Sequence, residues 1–271
     1  MRLESTAVRR RVVPELPEVE TVCRQFARVL SAAVLQSVIV YDKKLLHIHI
    51  PKGRKVQSVR RCGKSVEILF EGSVSLLIHL RMTGRLCWTT DKTRPLYSRW
   101  VIVFDAGRLH LVDPRRFATV SLKGSSTGRG AVLDPMEELS GRDLLRASSG
   151  RRLPVKNFLM DQKIIGGIGN IYACEVLHRA GISPWRRACD LDEIRWKRVL
   201  KALQFILEKA IQCGGTTISD WSDLFGRKGL YQNHLSVYGR KGKPCPRCGA
   251  PVIRTILSGR ATFFCTSCQE S

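Results

Sequence analysis

The chain has 271 residues, 44% of them hydrophobic, and carries 46 Lys plus Arg against 23 Asp plus Glu, a formal net charge of +23. That apolar fraction excludes a disordered chain, and no apolar run reaches the ~18 residues that a membrane helix needs. A positive excess spread along the whole length implies a polyanionic partner, because basic groups near phosphates release condensed counterions. Nucleic acid fits that partner better than a membrane, since no lone basic amphipathic helix stands out.

Residues 1–13, MRLESTAVRRRVV, have no period and read as a leader or an artefact of the assigned start. From Pro14 the segment PELPEVETVCRQFARVL has acidic first turns and apolar positions at Val19, Val22, Phe26, Val29 and Leu30, which predicts an amphipathic helix opened by proline. Between residues 34 and 123, short β-branched and aromatic runs such as SVIVYD, SVEILFE, VSLLIHLRM, WVIVFDAGRLHLVD and FATVSLK predict strands of a two-sheet sandwich. Ser125 to Arg129 reads as a linker. EELSGRDLLRAS, PVKNFLMDQK, NIYACEVLHRAG and DLDEIRWKRVLKALQFILEKAIQ then carry apolar residues at helical spacing, the last at Ile194, Leu200, Leu203, Leu207 and Ile211 before Gly214-Gly215. Strands followed by helices define an α+β class with units at 14–130, 131–233 and 234–271.

Residues 1–20 show no apolar core of a signal peptide, so a reducing cytoplasm is expected and the ten cysteines need another explanation than disulfides. Six are scattered singly and read as small buried hydrophobes. Cys245, Cys248, Cys265 and Cys268 instead form C-x2-C, a sixteen-residue spacer, and C-x2-C. Two such knuckles offer four thiolates at tetrahedral angles, the pattern of one closed structural Zn2+ site. The spacer predicts a hairpin with Gly259 and Arg260 at its tip, held by the metal rather than by a core of its own.

Six motifs then carry a specific likeness: PELPEVE (14–20), DPRRF (113–117), GIGNIYA (167–173), GGTT (214–217), VYGRKG (237–242) and GRATFFC (259–265). In this order and spacing the chain resembles the formamidopyrimidine-DNA glycosylase family from Pro14 to about Gln269. The resemblance implies a bilobal enzyme with an N-terminal β-sandwich and flanking helices, a C-terminal helix-two-turn-helix domain plus zinc-finger hairpin, and duplex DNA in the cleft between the lobes. It implies base-excision repair by a monomer: removal of oxidised purines such as 8-oxoguanine and formamidopyrimidines, followed by cleavage at the abasic site. Pro14 would be the nucleophile, its secondary amine attacking the sugar C1′ to give an iminium that drives β,δ-elimination. Glu15 would shuttle the proton, Glu18 would line the same pocket, and Lys64 and Arg260 would hold phosphates flanking the extruded nucleotide. Met82, Arg115 and Phe117 would fill the gap left by the extruded base, with Arg115 facing the orphaned cytosine. Asn170 and the N–H groups around Gly166, Gly167 and Gly169 would hold a phosphate, with Arg151 and Lys156 adding backbone contacts.

Several positions depart from the family pattern. Tyr97 replaces a DNA-contacting histidine, Ala118 and Val120 replace a glycine and a tryptophan, and Asn157 replaces a proline. The leader departs most, because an amide-linked Pro14 has no amine to attack with. Val13 as a GTG initiator would resolve this and leave Pro14 first after removal of the initiating Met. Two other readings stand beside the purine enzyme: a damage-binding protein without lyase activity if the leader is retained, and a glycosylase of the endonuclease VIII type for oxidised pyrimidines. The implied location is the bacterial cytoplasm, at the nucleoid.

Overall fold

The computed structural model describes residues 13–123, 132–218 and 220–269. The leader up to residue 12 and the expected linker at Ser125–Arg129 lie outside these residues. The first lobe opens with α1 (Leu16–Val29), for which Glu15 is the N-cap: its side chain accepts from the N3 backbone while Glu18 reaches back to the Glu15 N–H, a reciprocal capping box. Two antiparallel sheets follow. One has the order β1-β6-β7-β5, from Leu35–Val40, Ser98–Phe104, Gly107–Val112 and Arg85–Thr89. The other has the order β2-β3-β4-β8, from Val56–Cys62, Ser65–Phe70, Val74–His79 and Thr119–Lys123. Val66, Ile68, Phe70, Leu76 and Ile78 face Trp100, Ile102, Leu109 and Leu111 in a core that also receives Val19, Val22 and Phe26 of α1. The α1 helix packs against β2 and β3 on the side of Val66, Ile68 and Phe70, while on the opposite side Glu67 is buried with bonds from Arg60 and Ser75, so β3 does not alternate.

The second lobe is helical: α2 (Gly141–Ser148), α3 (Val155–Met160), α4 (Asn170–Ala180) and α5 (Glu193–Gln212). Ser140 and Asp192 cap α2 and α5 through their side chains. Along α5 the inward stripe is Trp196, Val199, Leu203 and Leu207; Ile194, expected in that stripe, is 72% exposed because it lies in the first turn on the solvent side. The hairpin β9 (Ile253–Leu257) and β10 (Arg260–Phe264) packs against α4. It is not the satellite that its size suggested: Val252, Phe263, Cys245 and Cys265 belong to the same core as α4 and α5, and Phe263 meets Tyr238 with ring centroids 5.0 Å apart. No helix among the described residues is long and apolar enough to cross a membrane.

The lobes are joined where α1 begins. Leu16 is fully buried in the helical core while Val19 belongs to the sandwich core, and the Leu16 N–H donates to the Gly167 carbonyl at 2.9 Å. A buried ion pair adds a second joint, with Arg61 of β2 donating to both oxygens of Asp134 at 2.7 and 2.8 Å. Replacing Leu16 by Ala is expected to cost roughly 2–5 kcal/mol of stability, as for other fully buried leucines. Urea unfolding measures this, and a loss below about 1 kcal/mol would mean that the start of α1 is not built into the helical core.

Candidate active site and nucleic-acid interface

Between the lobes lies a cleft of about 780 Å³ whose lining includes Val13, Glu15, Lys64, Met82, Asn170 and Arg260. Pro14 is buried at its edge, on the wall of an adjoining cavity of about 300 Å³ shared with Met82, Tyr97 and Trp221. The nearest titratable groups are set by the capping geometry. The Glu15 carboxylate accepts from the N–H groups of Gly169 (2.7 Å), Ile171 (3.0 Å) and Tyr172 (3.4 Å) at the N-terminus of α4, where the helix dipole favours an anion. Burial raises its pKa, opposed by Lys64 and by these three donors. Glu18 accepts from the Tyr172 hydroxyl at 2.7 Å and the Thr216 N–H at 2.6 Å. Burial, with Glu15 alongside, raises its pKa to about 7. Glu18 thus lines a small space with Pro14, Thr216 and Trp221 rather than the main cleft.

Lys64 follows Gly63 in the β2–β3 turn, and Gly63 supplies the left-handed φ of 58° that this turn requires. Burial lowers the Lys64 pKa, Glu15 opposes this, and Arg260 adds to the fall. Glu15 and Lys64 crowd a single point: a Cβ on Gly169 would lie 2.4 Å from the Glu15 carboxyl carbon and 2.7 Å from Lys64 Nζ. Only glycine lets both groups approach α4. The site thus combines the Pro14 nitrogen, a buried carboxyl group at Glu15, and the cations Lys64 and Arg260 in the cleft lining. Those are the parts for proton transfer beside an anionic ligand.

The trio expected to fill the gap gathers on two neighbouring turns. Met82, 38% exposed, sits in the β4–β5 turn, and Phe117, 39% exposed, in the β7–β8 connection, with the Arg115 guanidinium 4.4 Å above the Phe117 ring. Phe117 therefore lies just outside β8 rather than in the strand that FATVSLK suggested. Asp113 ties these turns together. Its carboxylate accepts from Thr83 Oγ1 (2.5 Å), the Arg115 N–H (3.2 Å), the Ala118 N–H (2.7 Å) and Arg99 (3.2 Å). Asp42 accepts from both Arg99 and Arg116, which hold its carboxyl far below the usual range, and it fixes Arg116 at a φ of 59°. Sequence reading missed Asp42, Arg99 and Thr83, which are far apart in the chain; Asp113 stood in DPRRF, but nothing there separated a hub from its neighbours. Tyr97 is 56% exposed at a φ of 63°, lining the cavities on either side of Pro114. His79, also missed, lines the main cleft with a pKa of about 4, lowered by burial and then by Arg81 and Lys64.

Four of the groups expected to contact DNA have partners within the protein. Lys156 is 1% exposed, and its ammonium donates to Thr262 Oγ1 (2.7 Å) and the Ala261 carbonyl (3.3 Å), so it pins the hairpin from within instead of reaching outward. The glycine N–H groups of the turn before α4 are not free for a phosphate: Gly166 donates to Leu133, Gly167 to Gln162, and Gly169 to Glu15. Asn170 lines the cleft but donates from Nδ2 to the Ala261 carbonyl at 2.9 Å, leaving Oδ1 as its unpaired atom. Arg151 is exposed, with Nε on the Ala147 carbonyl, and is not in the cleft lining. Asn157, where the sequence departs from the family, bonds Ser258 Oγ at 2.7 Å in the hairpin turn.

Cys245, Cys248, Cys265 and Cys268 bring their sulfurs within 4.8 Å of one another, with 3.4 Å between Cys248 and Cys265 and 3.9 Å between Cys245 and Cys268. Tetrahedral Zn–S bonds of ~2.3 Å put sulfurs ~3.8 Å apart, so the cluster fits one structural ion. His178 Nε2 lies 3.2 Å from Cys245 Sγ, the kind of outer partner that orients a ligand.

Three family models match the chain: the formamidopyrimidine-DNA glycosylase N-terminal domain over residues 13–120, the H2TH domain of the same family over 133–222, and the zinc finger found in FPG and IleRS over 242–270. A formamidopyrimidine-DNA glycosylase of Gluconobacter oxydans is 40% identical, covering 95% of this chain and 100% of its own. A Lactococcus lactis FPG variant in complex with Fapy-dG-containing DNA superposes with a TM-score of 0.86 at 30% identity, over 95% of this chain and 100% of that one; the FPG complex with abasic-site DNA matches equally. The wild-type Lactococcus protein with oxidised-pyrimidine-containing DNA gives 0.84 at 29% identity, over 95% and 100%.

Two outcomes are expected. Because the folded Glu18 pKa of about 7 lies above its ordinary value of 4.5, the folded state holds the proton more tightly, and stability falls as pH rises from about 4.5 to 7. The Glu18→Gln variant cannot ionise, so its urea midpoint should gain on the wild type between pH 5 and pH 8; an equal difference at both would show that Glu18 is already ionised at pH 5. Chelating the zinc, or changing Cys248 to Ser, should lower the thermal melting temperature of the helical lobe as well as free the hairpin, since Phe263 and Cys265 are part of that core. Melting followed by helical circular dichroism decides this, and an unchanged midpoint would mean that the hairpin docks without the ion.

Proposed function

The chain belongs to the formamidopyrimidine-DNA glycosylase family and is a base-excision-repair DNA glycosylase and abasic-site lyase with one structural zinc; from that premise we propose that Pro14 is its nucleophile and oxidised purines in duplex DNA its principal substrates. The observation that carries the reading is the convergence of Pro14, Glu15 and Lys64 at the foot of one cation-lined cleft.

In the reaction, the Pro14 nitrogen forms a bond to C1′ as the glycosidic C–N bond breaks, and the base leaves with a proton. Glu15, whose burial favours the protonated form, opens the sugar ring by proton transfer to O4′. The resulting iminium needs no further proton to be cationic and acidifies the C2′ hydrogen. Loss of that proton expels the 3′ phosphate, and a second elimination expels the 5′ phosphate. Lys64 and Arg260 hold the phosphates on either side and stabilise the departing negative charge. Met82, Arg115 and Phe117 occupy the gap, with Arg115 facing the orphaned base. Glu18 orders the pocket wall through Tyr172 and Thr216, Asn170 and Lys156 act through the hairpin, and Tyr97 and Arg151 contact the backbone. Units at 14–130, 131–233 and 234–271 serve these parts, and the enzyme works as a monomer on nucleoid DNA in the cytoplasm.

This chemistry requires a free amine at Pro14, so protein beginning at Pro14 should be trapped by borohydride on a duplex with 8-oxoguanine opposite cytosine. The same chain with residues 1–13 attached should bind that duplex without being trapped, because its Pro14 nitrogen is an amide. Equal trapping of both would move the nucleophile elsewhere, with Lys64 the first residue to substitute. Binding without trapping by the Pro14-first protein would leave a damage-binding protein, and preferential trapping on oxidised-pyrimidine duplexes would favour the endonuclease VIII type.

A further inference from the structure

Six non-glycine residues among those described hold a left-handed φ, and three of them, Arg81 (56°), Tyr97 (63°) and Arg116 (59°), lie on the walls of the cleft and the cavities adjoining it. An L-residue is disfavoured in this region, so such a residue persists only where the surroundings hold it. Two of the three have visible fixings inside the protein: Asp42 grips the Arg116 side chain, and the Tyr97 carbonyl accepts from the Asp113 N–H at 3.1 Å. Arg81 is different. Its backbone N–H is held by His79 Nδ1 at 3.0 Å, but its exposed guanidinium has no hydrogen bond or ion pair among the described residues. The fixed main chain therefore directs an unpaired cation into the cleft, immediately before Met82.

The cleft supplies no carboxylate to neutralise it. Glu15 spends its oxygens on the N–H groups of α4, and the other cations lining the cleft, Lys64 and Arg260, already oppose each other, since Arg260 lowers the Lys64 pKa. Three cations lining one concave, partly dehydrated surface focus a positive field on whatever enters it. A glycine would adopt a φ of 56° without strain, so the arginine side chain at this position serves something other than the turn. We propose that Arg81 binds a backbone phosphate of the DNA in the cleft, beside the base step that Met82 enters and distinct from the phosphates held by Lys64 and Arg260. The inference rests on the DNA-repair reading above.

A phosphate contact and a base contact differ in their salt dependence, because only the former releases condensed counterions. The full chain and its R81G, R81K and R81Q variants are titrated with a duplex carrying a stable abasic analogue, at salt concentrations from about 50 to 200 mM. The slope of log K against log salt should become shallower by about 0.9 for R81G and R81Q and stay at the wild-type value for R81K. The melting temperature of R81G should equal or exceed that of the wild type, because glycine relieves the backbone, so a binding loss there is not a folding loss. R81Q keeps the bulk of the side chain and decides the matter alone if R81G proves unstable. An unchanged slope in R81Q overturns the inference, as does a fall in affinity that varies with base sequence at constant slope. Failure of the repair reading is seen separately, as absence of base excision from an 8-oxoguanine duplex by wild-type protein that begins at Pro14.

Discussion

The arrangement depends first on one carboxylate. Glu15 is the N-cap of α1, in a capping box with Glu18, and its carboxylate also accepts from the first N–H groups of α4, so two helix N-termini from different lobes meet on a single residue. Each terminus alone would leave N–H groups unsatisfied in a buried place. Together they fix the angle at which α1 leaves the helical core at Leu16 and enters the sandwich core at Val19. The same contact sets the residue before it, Pro14, at the edge of the cleft. The proposed catalytic geometry and the joint between lobes are thus one structural device, with Gly169 as its condition because any side chain there would strike both Glu15 and Lys64.

The hairpin is set by a second network. The metal cluster closes its base, while Lys156, Asn157 and Asn170 hold Thr262, Ser258 and Ala261 along its length. Buried lysine is tolerated in this place because Thr262 and Ala261 accept from its ammonium. The effect is to present Arg260 from a hairpin tied along its length, which suits the phosphate-holding role proposed for it. Asn157 is a difference from the family pattern, yet it supplies one of these ties.

The turns that meet the DNA-facing space hold backbone conformations that their residues would not choose. Arg81, Tyr97 and Arg116 are left-handed, and Ser258 beside the hairpin tip is too, at 48°. Asp113, Asp42 and Arg99 form a buried ionic hub that supports the Met82 and Phe117 turns together. Local strain at the contacting turns is offset by satisfied polar groups behind them, a common division between a working surface and its support.

The sequence by itself determined the zinc site and the change from strand to helical periodicity, and it named the residues proposed to carry the chemistry. These are local properties: a two-residue gap between thiols, a two- or 3.6-residue period, or a contiguous motif can be read without knowing what lies opposite. Tertiary structure decided what those residues touch. Lys156 and Arg151 are both basic residues of the same short segment, yet one is buried under the hairpin and the other exposed at the end of α2. The glycines before α4 looked ready for a phosphate, but their N–H groups are taken by Leu133, Gln162 and Glu15. Asp42 and Arg99 are 57 positions apart and carry no local signature at all. Pairing across such distances is set by strand register and lobe packing, and one sequence read in order contains neither.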